Sequence, residues 1–335
     1  MPWKPQHPDD FPTLGWGVLD WWADLFPSPR DPAEPFVLTD SQARGVLEWF
    51  RLDPLTGRRV YRRGYSRRSK GRGKSPIEAG KAVAEFAGPV RFGGWDAAGQ
   101  PVGVPWGGPG DPLPWVQVAA VSEGQTDNTW SVVYYFLTEN DGELAEALRV
   151  DAGLTRCFLR DKPGAKLEPV TASAGSREGQ PITYGVLDET HLWTPRNGGV
   201  KLARTIRRNV AKMGGASFET TNSFIPGEGS VAEGSHRSVQ AGAAGVYVDD
   251  REAPREVGGV PVTLDAPDGV LRAALSVAYE DAWWVDLDRL VQEIRDPETK
   301  WRDSERFFLN WNTKGGGLAV DGEQWAKLAD PGLSL

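Results

Sequence analysis

The segment that most constrains the fold is Ser69-Lys-Gly-Arg-Gly-Lys-Ser75, which is followed by a helical stretch at residues 77–86. Small residues let backbone N–H groups curl around phosphate groups, and the N-terminus of the following helix adds a favourable dipole. In such a loop Lys74 would reach the β- and γ-phosphates, and the Ser75 hydroxyl would bind Mg²⁺. The segment therefore predicts a phosphate-binding loop (P-loop), although Arg68 stands where the full pattern has glycine.

A strand that ends in two acids is the second informative feature. Residues 182–187 are mostly apolar, and Asp188 and Glu189 follow them directly. P-loop ATPases use such a pair at the end of a buried strand, where one carboxylate holds the Mg²⁺ shell and the next polarises the attacking water. The two features together predict a P-loop ATPase.

The composition indicates a globular protein with a large core. The 335 residues include 15 Trp, 40 Gly and 26 Pro, which predicts a core carried through many turns. The single cysteine, Cys157, excludes an internal disulfide framework and a thiolate zinc cluster, and the three histidines lack metal-ligand spacing. The sequence shows no bilayer-length apolar run and no secretory signal, which predicts a cytoplasmic protein without a membrane partner.

Charge is unevenly distributed along the chain. The formal net charge of −8 excludes a uniformly basic nucleic-acid binder, yet nine Lys/Arg and no acid lie between Arg58 and Lys74. Within this run, Val60-Tyr-Arg-Arg-Gly-Tyr65 is more polar than the central strand that normally precedes a P-loop. Either the arginine stems lie along apolar surface, or the strand is short and partly exposed.

Strands and helices alternate along most of the chain. Strands are predicted at residues 115–121, 182–189, 216–222 and 244–249, and helices at 14–26, 39–52, 77–86, 130–137, 270–280, 287–294 and 301–309. Residues 88–114, with eight glycines and six prolines, predict a long loop. The predicted fold class is α/β, a P-loop NTPase of the ASCE type with a central, mostly parallel sheet flanked by helices and a small helical lid subdomain.

The expected domain organisation has four parts. Residues 1–35 form an N-terminal extension packed on the core, and residues 36–265 form the P-loop ATPase core. Residues 266–312 form the helical lid subdomain, and residues 313–335 form a linker.

The order of several motifs resembles that of the large terminase subunit of tailed bacteriophages, over roughly residues 36–312. The motifs are Thr39-Asp-Ser-Gln42, Arg58-Arg-Val-Tyr-Arg-Arg63, Ser69-Lys-Gly-Arg-Gly-Lys-Ser75, Val121-Ser-Glu-Gly-Gln125, Val186-Leu-Asp-Glu-Thr-His191 and Thr220-Thr-Asn222. In that family an N-terminal ATPase forms a ring-shaped motor that pumps double-stranded DNA into the capsid, and a C-terminal nuclease cuts the genome. Only 23 residues follow Asn312, so the resemblance implies the ATPase domain alone, with a linker toward a missing nuclease domain and no nuclease activity.

The resemblance implies an ATP site built from the P-loop and one glutamine. Gln42 corresponds to the glutamine that recognises adenine, although Thr39-Asp-Ser-Gln42 is also a capping box and both roles can hold. Lys70 stands where the family usually has an arginine that contacts the γ-phosphate. A lysine lacks the planar fork of a guanidinium group, so Arg72 or Arg68 are alternatives for that contact. The implied ATP-binding residues are Gln42, Ser69, Lys70, Gly71, Arg72, Gly73, Lys74 and Ser75.

Roles in hydrolysis and coupling follow from the same resemblance. Lys74 and Glu189 would be catalytic, and Ser75 and Asp188 would bind Mg²⁺. Arg177 would reach into the site of a neighbouring subunit and neutralise charge on the transferred phosphoryl group. The implied coupling residues are Thr220, Thr221 and Asn222.

The resemblance implies a motor that works in a complex. A translocating ring grips the DNA backbone without recognising sequence, which requires Lys and Arg on the surface that faces the pore. The DNA-binding candidates are Arg204, Arg207, Arg208 and Lys212. The expected partners are double-stranded DNA, the portal protein, the small terminase subunit and further copies in a pentameric ring. The expected location is the host cytoplasm, on the viral procapsid during packaging and not in the mature virion.

Two other functions remain open at the sequence level. Asp188-Glu-Thr-His191 resembles the DExH box of helicase-like DNA translocases, but nothing after residue 250 resembles their second ATPase core. The imperfect P-loop is also compatible with a nucleotide-gated packaging or scaffolding module that hydrolyses little ATP.

Overall fold

The computed structural model describes residues 3–5, 7, 9–172 and 178–313. The helices are α1 (Gly15–Leu25), α2 (Asp40–Trp49), α3 (Lys74–Ala87), α4 (Glu123–Thr138), α5 (Glu143–Leu148), α6 (Gly199–Lys212), α7 (Val231–Gln240), α8 (Asp268–Tyr279), α9 (Leu287–Arg295) and α10 (Trp301–Phe307). The strands are β1 (Arg63–Arg67), β2 (Arg91–Trp95), β3 (Pro101–Val104), β4 (Trp115–Ala120), β5 (Val150–Ala152), β6 (Cys157–Leu159), β7 (Lys166–Thr171), β8 (Tyr184–Leu187), β9 (Ala216–Thr221), β10 (Val246–Asp250), β11 (Glu256–Val257) and β12 (Val260–Pro261).

One eight-stranded sheet lies at the centre of the molecule, in the order β10-β1-β9-β8-β4-β7-β6-β5. The first six strands in this order are parallel, whereas β6 and β5 each run antiparallel to the preceding strand. Helices pack on the sheet, and the predicted α/β fold with a mostly parallel central sheet is confirmed. Among the described residues no helix is long and apolar enough to cross a membrane.

Strand β8 shows why the sheet requires helices on both faces. All four of its residues are buried. Tyr184 and Val186 pack into the core that contains α3 and α4, whereas Leu187 packs into a second core with α6. Side chains of a strand alternate between faces, so this strand is covered on both sides, as parallel strands usually are.

Strand β1 is polar although it pairs with a strand on each side. Arg67 is only 2% exposed, and its guanidinium group pairs with Asp250 at 2.8 Å and with Glu252 at 2.5 Å. It also donates to the Ser223 hydroxyl at 2.7 Å and to the Asn310 carbonyl at 2.8 Å. The strand is short, as one of the two expectations had it, but the partial exposure in that expectation is confined to Arg63, because residues 64–67 are buried. Ion pairs rather than apolar contacts accommodate its buried arginine.

Several segments differ from the sequence-based expectations, and helices α5 and α7 and the β11–β12 hairpin had no predicted counterpart. The long loop predicted at residues 88–114 contains the β2–β3 hairpin, which a bulge between Phe92 and Gly94 bends. Strands β5, β6 and β7 had no predicted counterpart, and β5 and β6 have three residues each. Such short strands give too few residues for a period-two pattern to be recognised.

The N-terminal segment packs on the core, and the helices after residue 266 have a core of their own. Trp22 of α1 is fully buried, and a Cβ at Gly80 of α3 would lie 2.9 Å from its ring. Helices α8, α9 and α10 bury a separate cluster that includes Leu271, Ile294 and Trp311. The predicted boundaries at residues 35, 265 and 312 stay predictions.

Parallel pairing brings three predicted motifs to one edge of the sheet. The P-loop follows β1, Asp188 follows β8, and β9 lies between these two strands. The register pairs Ser66 of β1 with Thr220 of β9, and Leu187 of β8 with Glu219 of β9. Because the carboxyl ends of parallel strands meet at the same edge, the phosphate loop, the acid pair and the Thr220 segment become neighbours.

Candidate nucleotide site

The loop between β1 and α3 has the backbone shape of a phosphate-binding loop. Gly71 and Gly73 have φ angles of +83° and +88°, and Gly73 is the N-cap of α3. These left-handed conformations are strained for residues with a Cβ and cost glycine little. The first N–H groups of α3 have no partner within the helix, so the loop and the helix N-terminus present donors suited to an anion.

Lys74 lies inside this loop. Its Nζ donates to the carbonyl oxygens of Arg68 at 2.9 Å and Ser69 at 3.0 Å. Burial lowers the pKa of Lys74 to about 8, against the opposing influence of the negative charges of Asp188 and Glu189. The ammonium group therefore lies within electrostatic range of the two carboxylates, whereas their convergence on one ligand stays a prediction.

The segment after residue 266 fixes the outer side of the loop. The Tyr279 hydroxyl donates to the carbonyl of Lys70 at 2.8 Å, and Trp284 Nε1 donates to the carbonyl of Gly71 at 2.9 Å. The backbone N–H of Lys70 donates to the carbonyl of Phe307 at 2.7 Å. The first two bonds satisfy loop carbonyl oxygens that would repel a phosphate group, and all three tie the loop to the segment after residue 266.

Asp188 is buried at the end of β8 and is oriented by two hydroxyl groups. Thr129 of α4 donates to Oδ2 at 2.7 Å, and Thr220 of β9 donates to Oδ1 at 2.6 Å. Each carboxylate oxygen has a second lone pair, so both oxygens retain an acceptor site for a further ligand. Sequence analysis did not find Thr129, because its contact with Asp188 joins two segments that no local motif links.

Glu189 follows with an unusual backbone. Its φ angle is +53° in a residue other than glycine, a conformation that is uncommon and often occurs at functional sites. Burial, together with the neighbouring charge of Asp188, raises the pKa of the Glu189 carboxyl above its usual value. A carboxylate with raised proton affinity is a better general base at neutral pH than an exposed one.

A cavity of about 520 Å³ joins these groups. Its volume lies within the ~300–1,000 Å³ that is usual for small-molecule sites. The loop and acid end of the cavity is lined by Lys70, Gly71, Gly73, Lys74, Ser75, Pro76, Ile77, Asn128, Asp188, Glu189 and Asn222. The other residues that line the cavity are Ser28, Pro29, Arg30, Phe36, Val37, Gln42, Trp283 and Trp284. Arg30, Asn128, Trp283 and Trp284 were not predicted, and the adjacent pair Trp283-Trp284 in a charged loop was the signal available for them.

Two phage proteins are similar to this chain in sequence, and a phage terminase is similar to it in fold. No family model matches the chain. The Gene 13 protein of Mycobacterium phage D29 is 32% identical over 97% of the chain, and that of Mycobacterium phage L5 is 33% identical over 93%. The crystal structure of the HK97 bacteriophage large terminase superposes on 90% of the chain with a TM-score of 0.64 at 15% identity. The chain has the fold of a large terminase.

The resemblance predicted from the motif order is confirmed, and the chain is a homologue of the two Gene 13 proteins. The chain spans 60% and 58% of the lengths of these curated relatives and 55% of the HK97 chain.

Within this terminase fold, Gln42 is placed at the cavity and also caps its own helix. Its Oε1 accepts from the backbone N–H of Thr39 at 3.1 Å, which completes the predicted capping box. Its Nε2 lies 3.5 Å from the carbonyl of Arg72 and close to Gly73, where a Cβ would approach it to 3.0 Å. Gln42 thus presents a donor to the cavity, while one acceptor lone pair is engaged by α2.

The two arginines considered as substitutes for the family's arginine point elsewhere. Arg68 pairs with Asp249 at 2.5 Å and with Glu280 at 2.7 Å. Arg72 pairs with Asp281 at 2.7 Å, and both arginines line a smaller neighbouring cavity of about 40 Å³. Neither belongs to the residues that line the 520 Å³ cavity. Their ion pairs attach the P-loop to the end of α8.

The three predicted coupling residues connect the acid pair with the P-loop. Thr220 contacts Asp188, as described above, and the Thr221 hydroxyl accepts from the backbone N–H of His191 at 3.0 Å. Asn222 Nδ2 donates to the carbonyl of Arg68 at 2.7 Å and lines the cavity. The role of these residues in coupling stays a prediction.

The four predicted DNA-binding residues lie on α6 and do not line the cavity. Arg204 and Lys212 are exposed on α6, whereas Arg207 pairs with buried Glu219 and Arg208 pairs with Glu178. Arg207 and Arg208 are therefore less available to an external anion than Arg204 and Lys212. Arg177 lies outside the described residues.

Proposed function

We propose that this chain is the ATP-hydrolysing motor part of a terminase that packages viral double-stranded DNA. The observation that supports this most is that Lys74, Ser75, Asp188 and Glu189 line one cavity of nucleotide size at the carboxyl edge of a parallel sheet. The homology to phage Gene 13 proteins and the terminase fold agree with this function.

The residues present fit ATP and Mg²⁺. Positive φ angles at Gly71 and Gly73 leave backbone donors around the place that phosphates would take, and Lys74 supplies a cation. Among the described residues no group of three or more His, Cys, Asp or Glu side chains forms a metal site by itself. Mg²⁺ is usually bound by one or two carboxylates together with substrate phosphates, which matches Ser75 and Asp188. When bound, Mg²⁺ neutralises charge that develops on the phosphoryl group.

Glu189 would act as the general base. Its raised pKa lets it accept a proton from a water molecule that attacks the γ-phosphorus, while Lys74 stabilises the phosphate oxygens. Thr220 and Thr129 keep the Asp188 carboxylate in one orientation throughout. Arg177 of an adjacent copy would complete the charge neutralisation.

Translocation would require further copies and partners. In this proposal several chains form a ring, pentameric by family resemblance, that surrounds DNA and docks on the portal of the procapsid in the host cytoplasm. The small terminase subunit would deliver the DNA. Exposed Arg204 and Lys212 are the better placed of the predicted DNA contacts.

The two alternatives make different demands on the molecule. A helicase-like translocase carries two ATPase cores, and within residues 256–313 the structure has only a two-stranded hairpin and three helices. A module that binds nucleotide without hydrolysis would not need the raised pKa of Glu189.

ATP turnover of the wild type and of the Glu189→Gln variant distinguishes these functions. We expect the variant to bind ATP normally and to turn it over at least 100-fold more slowly, because a general base contributes ~10²–10⁴ in rate. Specific activity of the wild type should rise with protein concentration as copies assemble. Equal turnover of the two proteins would exclude Glu189 as the base, and absent turnover in both at every concentration would favour the binding module.

A further inference from the structure

Two adjacent tryptophans, Trp283 and Trp284, line the 520 Å³ cavity together with the P-loop. Trp283 is 75% exposed, which is unusual for so large an apolar side chain. The centroid of its ring lies 5.8 Å from that of Trp284. The Arg30 guanidinium lies 5.0 Å above the Trp283 ring and 5.4 Å from the Trp284 ring. The planes of the two rings are 82° apart, so a flat group that stacks on the face of Trp283 meets Trp284 from the side.

Trp284 is fixed relative to the phosphate end of the same cavity. Its Nε1 donates to the carbonyl of Gly71 at 2.9 Å, and a Cβ at Gly73 would lie 3.1 Å from its ring. The aromatic wall and the P-loop are thus held at one mutual position. A molecule that carries both phosphates and a flat aromatic ring therefore finds a complementary group for each among the residues that line this cavity.

Gln42 offers fewer hydrogen-bonding groups to the edge of a base than the family resemblance implied. A bidentate grip on adenine needs both the amide donor and the amide acceptor of Gln42. Its Oε1 already accepts from the N–H of Thr39, so turning it toward a base would break the N-terminal cap of α2. The Nε2 donor alone finds an acceptor on the edge of either adenine or guanine, and so distinguishes them poorly.

We propose that Trp283 binds the nucleobase by stacking, with Trp284 packed beside it, and that the site accepts purine nucleoside triphosphates with little preference between ATP and GTP. This inference rests on the proposed function, since it assumes that the P-loop holds the phosphates. Stacking on an aromatic face tolerates any base because every base has a π-face. Trp283 supplies affinity, and Trp284 also ties the base end to the loop.

The test is calorimetric titration of the full chain with three probes in the presence of Mg²⁺, namely ATP, GTP and inorganic tripolyphosphate. Four proteins are compared: the wild type, Trp283→Ala, Trp283→Phe and Trp16→Ala. Trp16 is a matched control because it is 62% exposed on α1 and does not line the cavity. A fifth protein, Lys74→Ala, reports on the phosphate end.

We expect the wild type to bind ATP and GTP within about fivefold of each other. Trp283→Ala should weaken both about 5- to 100-fold, the range that loss of one base stack produces, and leave tripolyphosphate affinity unchanged. Trp283→Phe should restore most of the loss, and Trp16→Ala should match the wild type. Unchanged ATP affinity in Trp283→Ala, an equal loss for tripolyphosphate, or a preference for ATP over GTP above 100-fold would overturn the inference.

Failure of the proposed function gives a different pattern. If tripolyphosphate does not bind the wild type, or binds Lys74→Ala equally well, the P-loop does not hold phosphates. That result would remove the proposed function and, with it, this inference. Loss confined to ATP and GTP in Trp283→Ala, with Lys74-dependent binding of tripolyphosphate, supports both.

Discussion

Thr220 donates a hydrogen bond of 2.6 Å to Oδ1 of Asp188, across the boundary between strands β9 and β8. Two residues further along the chain, Asn222 donates a hydrogen bond to the carbonyl of Arg68 at the start of the P-loop. The end of β9 therefore links the Asp188 carboxylate to the P-loop through two hydrogen bonds. The coupling role of the Thr220 segment stays a prediction, and this contact is where it can be tested.

Thr220→Val should impair turnover more than it impairs folding. The substitution keeps the shape of the side chain and removes the hydroxyl, which leaves Asp188 with one orienting bond from Thr129. A hydrogen bond to a charged group is worth about 1.5–3 kcal/mol, so we expect ATP turnover to fall about 10- to 100-fold.

The matched control for that variant is Thr205→Val. Thr205 is also buried and donates to Glu178 at 3.1 Å, but it lies on α6 away from the cavity. Turnover and urea unfolding should be measured on both variants. If Thr220→Val turned over ATP as fast as the wild type, or if Thr205→Val lost as much turnover, the role of the contact between Thr220 and Asp188 would be contradicted.

ATP affinity should decline as the pH rises through 8. Burial lowers the pKa of Lys74 to about 8, so the ammonium group that faces the phosphates loses its proton above that pH. The protonated fraction falls about tenfold between pH 7 and pH 9, and the association constant should fall by about the same factor. Calorimetric titration across this range checks the prediction. Lys74→Met, which cannot titrate, should bind weakly and without this decline, and a wild-type affinity that stays constant to pH 9 would refute it.

The sequence was sufficient for features that depend on short segments. A glycine-rich stretch before a helix and a buried strand before two acids have local signatures, so the loop and acid pair could be predicted, and both line the cavity. Parallel pairing then placed them at one edge, as the α/β pattern requires. The eight-stranded sheet followed the same logic except at its short antiparallel end.

Contacts between distant segments could not be predicted in this way. Thr129 orients Asp188, and Asp281 joins Arg72 to the N-terminus of α2, where it accepts from Ser41 N at 2.8 Å. No spacing in the chain marks such pairs. The polar character of β1 was a visible anomaly, but its cause lies in acids far along the sequence that pair with Arg67.

Arg67→Ala should strongly destabilise the fold. The side chain is 2% exposed and neutralises Asp250 and Glu252, so its removal leaves two carboxylates without their cation. Breaking a buried pair in this way costs about 3–5 kcal/mol, which urea unfolding would detect. Arg272→Ala is the control, because its pair with Asp288 is exposed and worth at most about 1 kcal/mol. Similar losses in the two variants would show that β1 does not depend on the buried network.

DNA binding should depend on the exposed basic residues of α6. Arg204 and Lys212 are exposed, whereas Arg207 and Arg208 are engaged by acids. Each phosphate contact contributes about 0.9 to the slope of log K against log salt. Arg204→Ala with Lys212→Ala should therefore reduce the slope for a non-specific duplex by about two and weaken binding at low salt.

A second double variant serves as the control that tests whether the effect is specific to α6. Arg272→Ala with Arg289→Ala removes the same net charge from exposed positions on α8 and α9. Fluorescence anisotropy with a labelled duplex at several salt concentrations gives both slopes. We expect the control pair to keep the wild-type slope, because a long-range charge effect falls off within a Debye length of about 10 Å at 0.1 M salt. If both double variants lower the slope equally, α6 is not the surface that contacts the DNA backbone.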